Sequence, residues 1–312
     1  MKDEKRKNYR LTGSFHTLEI KSPSFARSED EEIDRCISTR WDSKGEIATS
    51  KINPNKLVGD ALSFSEFRQI MEAILYRSGV DSYRISRADM RFDNYDNDHY
   101  RQYFKLHRYL LSAIAITYGV TNRYKTTELI TEAPLSIAVK SDGFQVETYN
   151  RKHKNMVTGN TGERATARLE ERTTGREWQR INREVDFADS DWNMEALQQE
   201  FTKEWDKRWK EAKKNLKRVQ DTYNDALIEA YKSGLDSKPV QFRSLTDFLI
   251  QKQDCIFTSR QMVDLLHRLG VDNPENRAKY HKKKYGIEYF SQEDVNFAIR
   301  EIRRAALEFF RK

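Results

Sequence analysis

The stretch RISRADMRFD, residues 84–93, carries the alternation that decides the fold of the first half of the chain. If this stretch is a β-strand, the apolar side chains of Ala88, Met90 and Phe92 share one face. The charged side chains of the stretch then share the opposite face: Arg87, Asp89, Arg91 and Asp93. A period of two residues over this length predicts a strand with one buried face and one polar face.

Two later stretches, FQVETY (144–149) and ATARLEER (165–172), repeat this pattern. Their polar positions are Gln145, Glu147 and Tyr149 in the first stretch and Arg168, Glu170 and Arg172 in the second. If all three strands bury their apolar faces under helices, the other sheet face carries carboxylates, arginines and a tyrosine. Since burying unpaired charges is costly, we expect that face to be hydrated or occupied by a ligand. A solvated face crossed by salt bridges is the alternative that the pattern leaves open.

The first half of the chain mixes strand patterns with helical ones. Residues 62–79 and 99–119 have apolar side chains at helical spacing, and each segment ends on a glycine. Residues 14–20, 45–52 and 135–140 have the pattern of further strands. The sequence therefore predicts an α+β fold, with a mixed or antiparallel sheet and helices on one face.

The second half is helical and strongly basic. From residue 192 to residue 234 there is no proline, and Trp205 and Trp209 lie on one apolar stripe of a predicted long helix. We expect these tryptophans in a core or a helix–helix seam, and base stacking is the alternative. Three domains follow from this organisation: a sheet domain (1–180), a long basic helical segment (181–235) and a C-terminal helical module (236–312).

Two segments of the C-terminal module have features of nucleic-acid-binding elements. Residues 258–270 have a capping Thr or Ser before a helical pattern, which would suit the start of a helix-turn-helix. Residues 277–286 interleave tyrosines with the basic cluster Lys282, Lys283 and Lys284. We expect this second segment to be a loop that contacts phosphates.

The overall charge and the missing motifs narrow the function classes. The formal net charge of +7 over 312 residues suits a polyanionic partner. The two cysteines, Cys36 and Cys255, support neither a disulfide framework nor a structural zinc site. No P-loop, signal peptide or membrane-spanning stretch occurs, so we expect a cytoplasmic protein without an ATP motor of its own.

Four short motifs in a fixed order resemble a known family. They are INPNKL (52–57), SRADMRFDNYD (86–96), TYNRK (148–152) and ARLEE (167–171). Together they resemble the Rep_trans-type replication initiators of Gram-positive rolling-circle plasmids, and the match spans roughly residues 14–175. Related relaxases of integrative conjugative elements share the same domain. The resemblance implies a Rep nuclease-like sheet domain and a metal-dependent enzyme that nicks and closes DNA.

The resemblance also assigns roles to individual residues. It implies that Tyr149 is the nucleophile and that Asp89, with Asp93 and Glu170, binds Mg²⁺ or Mn²⁺. The basic residues around these positions would contact DNA: Arg87, Arg91, Arg151, Lys152, Arg168 and Arg172. Three positions depart from the family pattern, which has a leucine at Ala88, a basic or neutral residue at Glu147 and an apolar residue at Glu171.

A tyrosine in this setting has a definite chemistry. Its ordinary pKa is near 10, and we expect Arg151, Lys152 and His153 to lower that pKa. Attack on a phosphodiester would give a 5′-phosphotyrosine link and a free 3′-OH that primes synthesis. The expected partners are double- and single-stranded origin DNA, a host helicase and a second copy of the chain. A relaxase with the same chemistry, a non-catalytic origin-binding protein and an RNA-binding protein are the alternatives.

Overall fold

The computed structural model describes residues 3–58, 62–118, 136–140, 144–152, 156, 164–174, 194–237 and 241–311. Within these residues the fold is α+β, as predicted, with a seven-stranded sheet and eleven α-helices. Every pair of neighbouring strands is antiparallel. None of the described helices has the length and apolar content needed to span a membrane.

The strand that decides the fold lies at the centre of the sheet. The strands are β1 (Thr12–Ser22), β2 (Ile37–Trp41), β3 (Ala48–Ile52), β4 (Arg84–Asn94), β5 (Ser136–Lys140), β6 (Phe144–Asn150) and β7 (Ala167–Thr174). Their order in the sheet is β2-β3-β1-β4-β7-β6-β5. The three strands with alternating charge, β4, β7 and β6, are therefore direct neighbours, and their polar faces form one surface.

The helices come from both halves of the chain. They are α1 (Asp3–Asn8), α2 (Glu31–Arg35), α3 (Asn55–Val58), α4 (Phe64–Arg77), α5 (Tyr100–Tyr118), α6 (Met194–Lys214), α7 (Leu216–Asp236), α8 (Leu245–Gln251), α9 (Ser259–Arg268), α10 (Pro274–Tyr285) and α11 (Gln292–Arg311). Helix α4 begins at a capping box in which Ser63 and Glu66 bond each other's backbone N–H groups.

One hydrophobic core joins the sheet to the C-terminal helices. The ring of Phe15 on β1 contacts Phe64 of α4 (6.0 Å between centroids) and Phe309 of α11 (5.1 Å). Phe92 on β4 contacts Trp205 of α6, with 5.0 Å between the centroids. Buried Trp205 thus lies in a core, one of the two places expected for it. The boundaries predicted at 180 and 235 stay predictions, and the core is continuous across the segments that they divide.

An ion pair is buried on the apolar face of the sheet. Glu171, which interrupts the alternation of β7, pairs with Arg208 of α6, and both side chains are almost fully buried. The Arg208 guanidinium also lies 4.0 Å from the centroid of the Phe144 ring. Burial lowers the pKa of Arg208 to about 10. The departure from the family pattern at Glu171 is therefore matched by a cation from the second half of the chain.

The structure corrects two predictions about the second half. The predicted long helix is two helices that meet at Asn215, whose side-chain amide donates to Thr117 Oγ1 of α5 (3.0 Å). No proline or glycine occurs at this break, so the sequence pattern did not predict it. The contact of Asn215 with α5 is the feature that accompanies the break in the structure. The segment 277–286, predicted as a loop, belongs to helix α10 and to its left-handed C-cap Gly286 (φ 65°).

We predict that Gly13→Ala destabilises the protein. Gly13 lies on β1, and a Cβ atom there would lie 2.5 Å from the backbone oxygen of Ala305 in α11. Relieving that overlap must separate α11 from the sheet, which we expect to lower the free energy of unfolding by about 1–3 kcal/mol. Chemical denaturation measures this change, and Thr12→Ala on the exposed part of the same strand is the control. Equal stability of the two variants would mean that α11 does not need this close approach.

Candidate active site on the polar face of the sheet

The strand register assembles the predicted site residues into three cross-strand rows. Across β6, β7 and β4 the rows are Gln145–Arg172–Asp89, Glu147–Glu170–Arg91 and Tyr149–Arg168–Asp93. Most of the residues assigned from sequence therefore lie together on one face. The register also places an arginine directly opposite each carboxylate of β4, and Arg91 opposite Glu170.

Asp89 holds two arginines at the accessible side of this cluster. Its carboxylate accepts hydrogen bonds from Arg87 Nε (2.7 Å) and Arg172 Nε (3.0 Å), and a second contact with Arg87 makes that pair bidentate. Arg172 also donates through Nη1 to Gln145 Oε1 (2.9 Å). The side chain of Asp89 is only 2% exposed, whereas those of Arg87 and Arg172 are 17% and 23% exposed.

Asp93 forms a second ion-pair group that is fully buried. It accepts from Arg168 Nε (2.5 Å) and Nη2 (3.0 Å), and Arg91 Nε lies 3.3 Å from its Oδ2. Burial alone would raise the pKa of Asp93, but Arg168 and Arg91 outweigh that effect and hold the pKa below its usual value. We expected a hydrated or ligand-filled face. The structure shows instead that much of this face is a buried salt-bridge network.

Tyr149 and Glu170 form a hydrogen-bonded pair in the site. The Tyr149 hydroxyl donates to Glu170 Oε2 (3.2 Å), and Arg168 Nη1 lies 3.7 Å from the other carboxylate oxygen. Burial raises the pKa of Glu170. Burial, followed by the charges of Glu170 and Glu147, also raises the pKa of Tyr149 well above its ordinary value.

The raised pKa of Tyr149 contradicts the expectation that the basic residues after β6 lower it. The ammonium of Lys152 lies 5.0 Å from the ring of Tyr100, and His153 lies outside the described residues. Arg172 lowers the pKa of Tyr149, but its contribution is smaller than that of the two carboxylates. The Tyr149 phenol is therefore protonated at neutral pH.

Three residues of the site were not identified from the sequence. His16 sits in a β-bulge of β1, with Nδ1 3.9 Å from Glu170 Oε1 and Nε2 3.4 Å from Asn53 Nδ2. Burial lowers the pKa of His16 to about 3, so its imidazole is neutral. Asn55 accepts from Arg91 Nη2 (3.0 Å) and donates to the Phe15 carbonyl (2.8 Å). Asn53 and Asn55 both belong to the INPNKL segment, which thus lines the site.

The carboxylates do not fit a divalent metal ion as their side chains lie. Asp89 and Asp93 are each engaged by two guanidinium groups, and Glu170 is engaged by Arg168 and Tyr149. In the described part of the chain, no group of three His, Cys, Asp or Glu side chains is arranged to hold a metal ion. A metal ion at Asp89 would have to displace Arg87 or Arg172. The Mg²⁺ or Mn²⁺ site stays a prediction from the family resemblance.

The remaining predicted residues lie away from the three rows. Lys282, Lys283 and Lys284 are exposed in the last turn of α10, which packs against α9. Lys284 donates to the Tyr280 hydroxyl (2.7 Å) and lies close to the rings of Tyr280 and Tyr285. Thr258 caps α9 through a bond from Gln261 N, as predicted. This cluster is thus a second basic element, carried by a helix.

We predict that the protein alone gives no saturable Mn²⁺ binding in isothermal titration calorimetry, because the guanidinium groups of Arg87 and Arg172 already pair with Asp89. Replacing both of these arginines (Arg87→Gln with Arg172→Gln) should create measurable Mn²⁺ binding, and adding Asp89→Asn should remove it again. Saturable Mn²⁺ binding by the unaltered protein that Asp89→Asn abolishes would contradict this reading of the site.

We also predict that Asp93→Asn is strongly destabilising at neutral pH. It removes the counter-charge that the buried Arg91 and Arg168 share and leaves only Glu170 near Arg168, a loss of about 3–5 kcal/mol. Because the folded-state pKa of Asp93 is depressed, its contribution is present above the ordinary carboxyl pKa and is lost as pH falls through the folded value. Denaturation curves from pH 7 down to pH 2 should therefore converge for the two proteins. A constant difference over that range would contradict the assignment.

The candidate site thus consists of a partly exposed tyrosine, a buried glutamate that accepts its hydrogen bond, and two arginines at the edge of a buried ion network. This arrangement offers a nucleophile, a proton acceptor and cations within one set of neighbouring strands. The sequence matches no protein-family model, and no curated protein matches it.

Proposed function

We propose that this protein breaks and rejoins one strand of DNA through Tyr149 and so starts rolling-circle replication. The observation that carries the proposal is the hydrogen bond from the Tyr149 hydroxyl to Glu170, beside the guanidinium groups that Asp89 holds. The order of the four family-like motifs supports the same function. Three of those motifs supply side chains to the site, and the fourth, INPNKL, lines it through Asn53 and Asn55.

The chemical step is a transesterification. The Tyr149 hydroxyl gives its proton to Glu170, and its oxygen attacks the phosphorus atom of a phosphodiester. A new P–O bond to tyrosine forms while the bond to the 3′-oxygen breaks, and the 3′-oxygen takes up a proton. One phosphodiester is exchanged for another, so the reverse step can reseal the strand without ATP.

Burial affects the proton transfer less than the two individual pKa shifts suggest. Burial raises the pKa of both Tyr149 and Glu170, because each charged form is poorly solvated there. Transfer from the phenol to the carboxylate leaves the pair with one negative charge before and after. The desolvation cost of that charge is present in both states, so much of it cancels.

The accessible arginines suit the non-bridging oxygens of the phosphate. Arg87 uses Nε and Nη2 on Asp89, and Arg172 uses Nε on Asp89 and Nη1 on Gln145. Arg87 Nη1 and Arg172 Nη2 have no hydrogen-bond partner among the described residues. Since a guanidinium carries five N–H groups, each arginine can bind a phosphate while Asp89 keeps its orientation.

The basic end of α10 suits the duplex part of an origin. Its exposed cations include Arg277, Lys279 and the cluster at 282–284, and its buried side chains, Ala278 and His281, lie on the face toward α9. A helix pair with one cationic helix is a common arrangement for duplex DNA recognition. A free 3′-OH would then prime synthesis, and a host helicase would unwind the duplex. A relaxase of a conjugative element would use the same chemistry.

We predict that Tyr149→Phe forms no covalent adduct with DNA. The change removes only the nucleophilic oxygen, so origin binding should stay within about twofold and the loss of adduct should be at least 10³-fold. Glu170→Gln removes the proton acceptor and should slow adduct formation by about 10²–10⁴-fold. Supercoiled plasmid carrying the neighbouring intergenic DNA, with denaturing gels and peptide mapping, measures both effects.

The matched control is Tyr100→Phe, which removes a hydroxyl from another tyrosine on the edge of the site. It should leave adduct formation unchanged. An adduct mapped to a different tyrosine would overturn the role of Tyr149. Specific origin binding without an adduct, with EDTA, Mg²⁺ or Mn²⁺ present, would favour a non-catalytic origin-binding protein.

A further inference from the structure

A row of exposed cations crosses the polar face of the sheet at the end opposite to Tyr149. The register aligns Arg40 on β2, Thr49 on β3, Lys21 on β1 and Arg84 on β4. These four residues share the sheet face that carries the candidate site. Arg84 begins β4 and Asp93 lies near its other end, so roughly 30 Å of strand separates this row from the row of Tyr149.

The three cations of this row have no counter-charge among the described residues. Lys21, Arg40 and Arg84 are all exposed, and none of them forms an ion pair or side-chain hydrogen bond with another described residue. The adjacent row contains Lys51, but its register partner is Glu19, so that charge has an acid nearby. The row from Arg40 to Arg84 therefore carries three positive charges with no acid in it.

Stability alone does not account for this row. Like charges directly opposite each other on neighbouring strands are destabilising, and Lys21 faces Arg84 in this way. A charge on an edge strand can protect against edge-to-edge association, which would explain Arg40 on β2. Edge protection does not explain Lys21, because β1 lies inside the sheet between β3 and β4.

We propose that this row binds the phosphate backbone of single-stranded DNA. Neighbouring strands lie about 4.8 Å apart, so the three cations span roughly 14 Å along the row and suit two or three phosphates. Trp41 follows Arg40 at the sheet edge, and 46% of its surface is exposed. By strand alternation Trp41 is on the opposite face of the edge strand from Arg40, where a base of a DNA strand that passes around the edge can stack on it. A cationic track with an exposed aromatic ring is typical of single-strand binding surfaces.

This surface goes beyond the proposed nicking reaction, since it requires none of the residues around Tyr149. It would hold a single strand on the same sheet face as the candidate site, at the other end of β4 from Asp93. Binding at the row can be measured without cleavage, so failure of one proposal does not decide the other.

The test uses the full chain with Tyr149→Phe as background, in EDTA, and a fluorescein-labelled 30-nucleotide single strand. The row variant combines Lys21→Gln, Arg40→Gln and Arg84→Gln. The charge-matched control combines Lys232→Gln on α7, Arg243→Gln just before α8 and Arg300→Gln on α11, three exposed cations of the C-terminal half. Anisotropy titrations over a series of salt concentrations give the affinity and its salt dependence.

We expect the row variant to bind the single strand at least tenfold more weakly at low salt, with the slope of log affinity against log salt reduced by about 2. The loss of single-strand affinity in the control variant should be less than a third of the loss in the row variant. Trp41→Ala should weaken single-strand binding about fivefold without changing duplex binding. Lys21→Gln alone should raise the melting temperature, because it removes the like-charge contact.

Three results would overturn the proposal. Equal losses in the row variant and the control would show a general charge effect. A loss confined to duplex DNA, to polyglutamate or to phosphatidylserine vesicles would assign the row to another partner. A fall in melting temperature on Lys21→Gln would show that Lys21 has a structural role.

Discussion

The buried ion pairing between β4 and β7 is the constraint on which the candidate site depends. Asp93, Arg168 and Arg91 are almost fully withdrawn from water, where an unpaired charge would cost several kcal/mol. Each of these charged side chains is therefore stable in the interior only because it is paired with an opposite charge. Since Arg168 also contacts Glu170, the same pairing fixes the carboxylate that accepts the Tyr149 hydrogen bond. The position of the Tyr149 hydroxyl thus follows from electrostatics as much as from packing.

The network divides into layers with different chemical uses. The side chains of the inner group, Asp93, Arg91 and Arg168, are almost fully buried and offer no surface to a ligand. The outer group around Asp89 keeps two guanidinium groups partly exposed. Asp89 there acts as the anchor of an arginine pair, a role different from the metal ligand that the family resemblance implies. The carboxylate of Asp89 also offsets part of the positive charge of Arg87 and Arg172.

The sequence predicted the faces of the strands but not their partners. Alternation in RISRADMRFD, FQVETY and ATARLEER identified β4, β6 and β7 and placed Tyr149, Glu170 and Asp89 on one surface. Alternation carries no information about register, so the pairing of Asp93 with Arg168 could not be predicted, and neither could its burial. His16 was missed because a β-bulge breaks the period of two at that residue. Helix α10 was taken for a loop because its charges masked the helix signals of Pro274 and Gly286.

The C-terminal helices pack directly against the sheet and share its hydrophobic core. Helix α11 contacts β1 at Gly13, and α6 contacts β7 through Arg208. The buried ammonium of Lys105 on α5 donates to the carbonyls of Gln253 (2.7 Å) and Glu288 (3.2 Å), and burial lowers its pKa to about 8. These contacts bury charge and backbone polar groups that would lose their partners if the helices moved away. DNA held by α10, as proposed, would therefore have a defined position relative to Tyr149. The proposed strand breakage needs such a position, because the attacking oxygen must meet one phosphodiester among many.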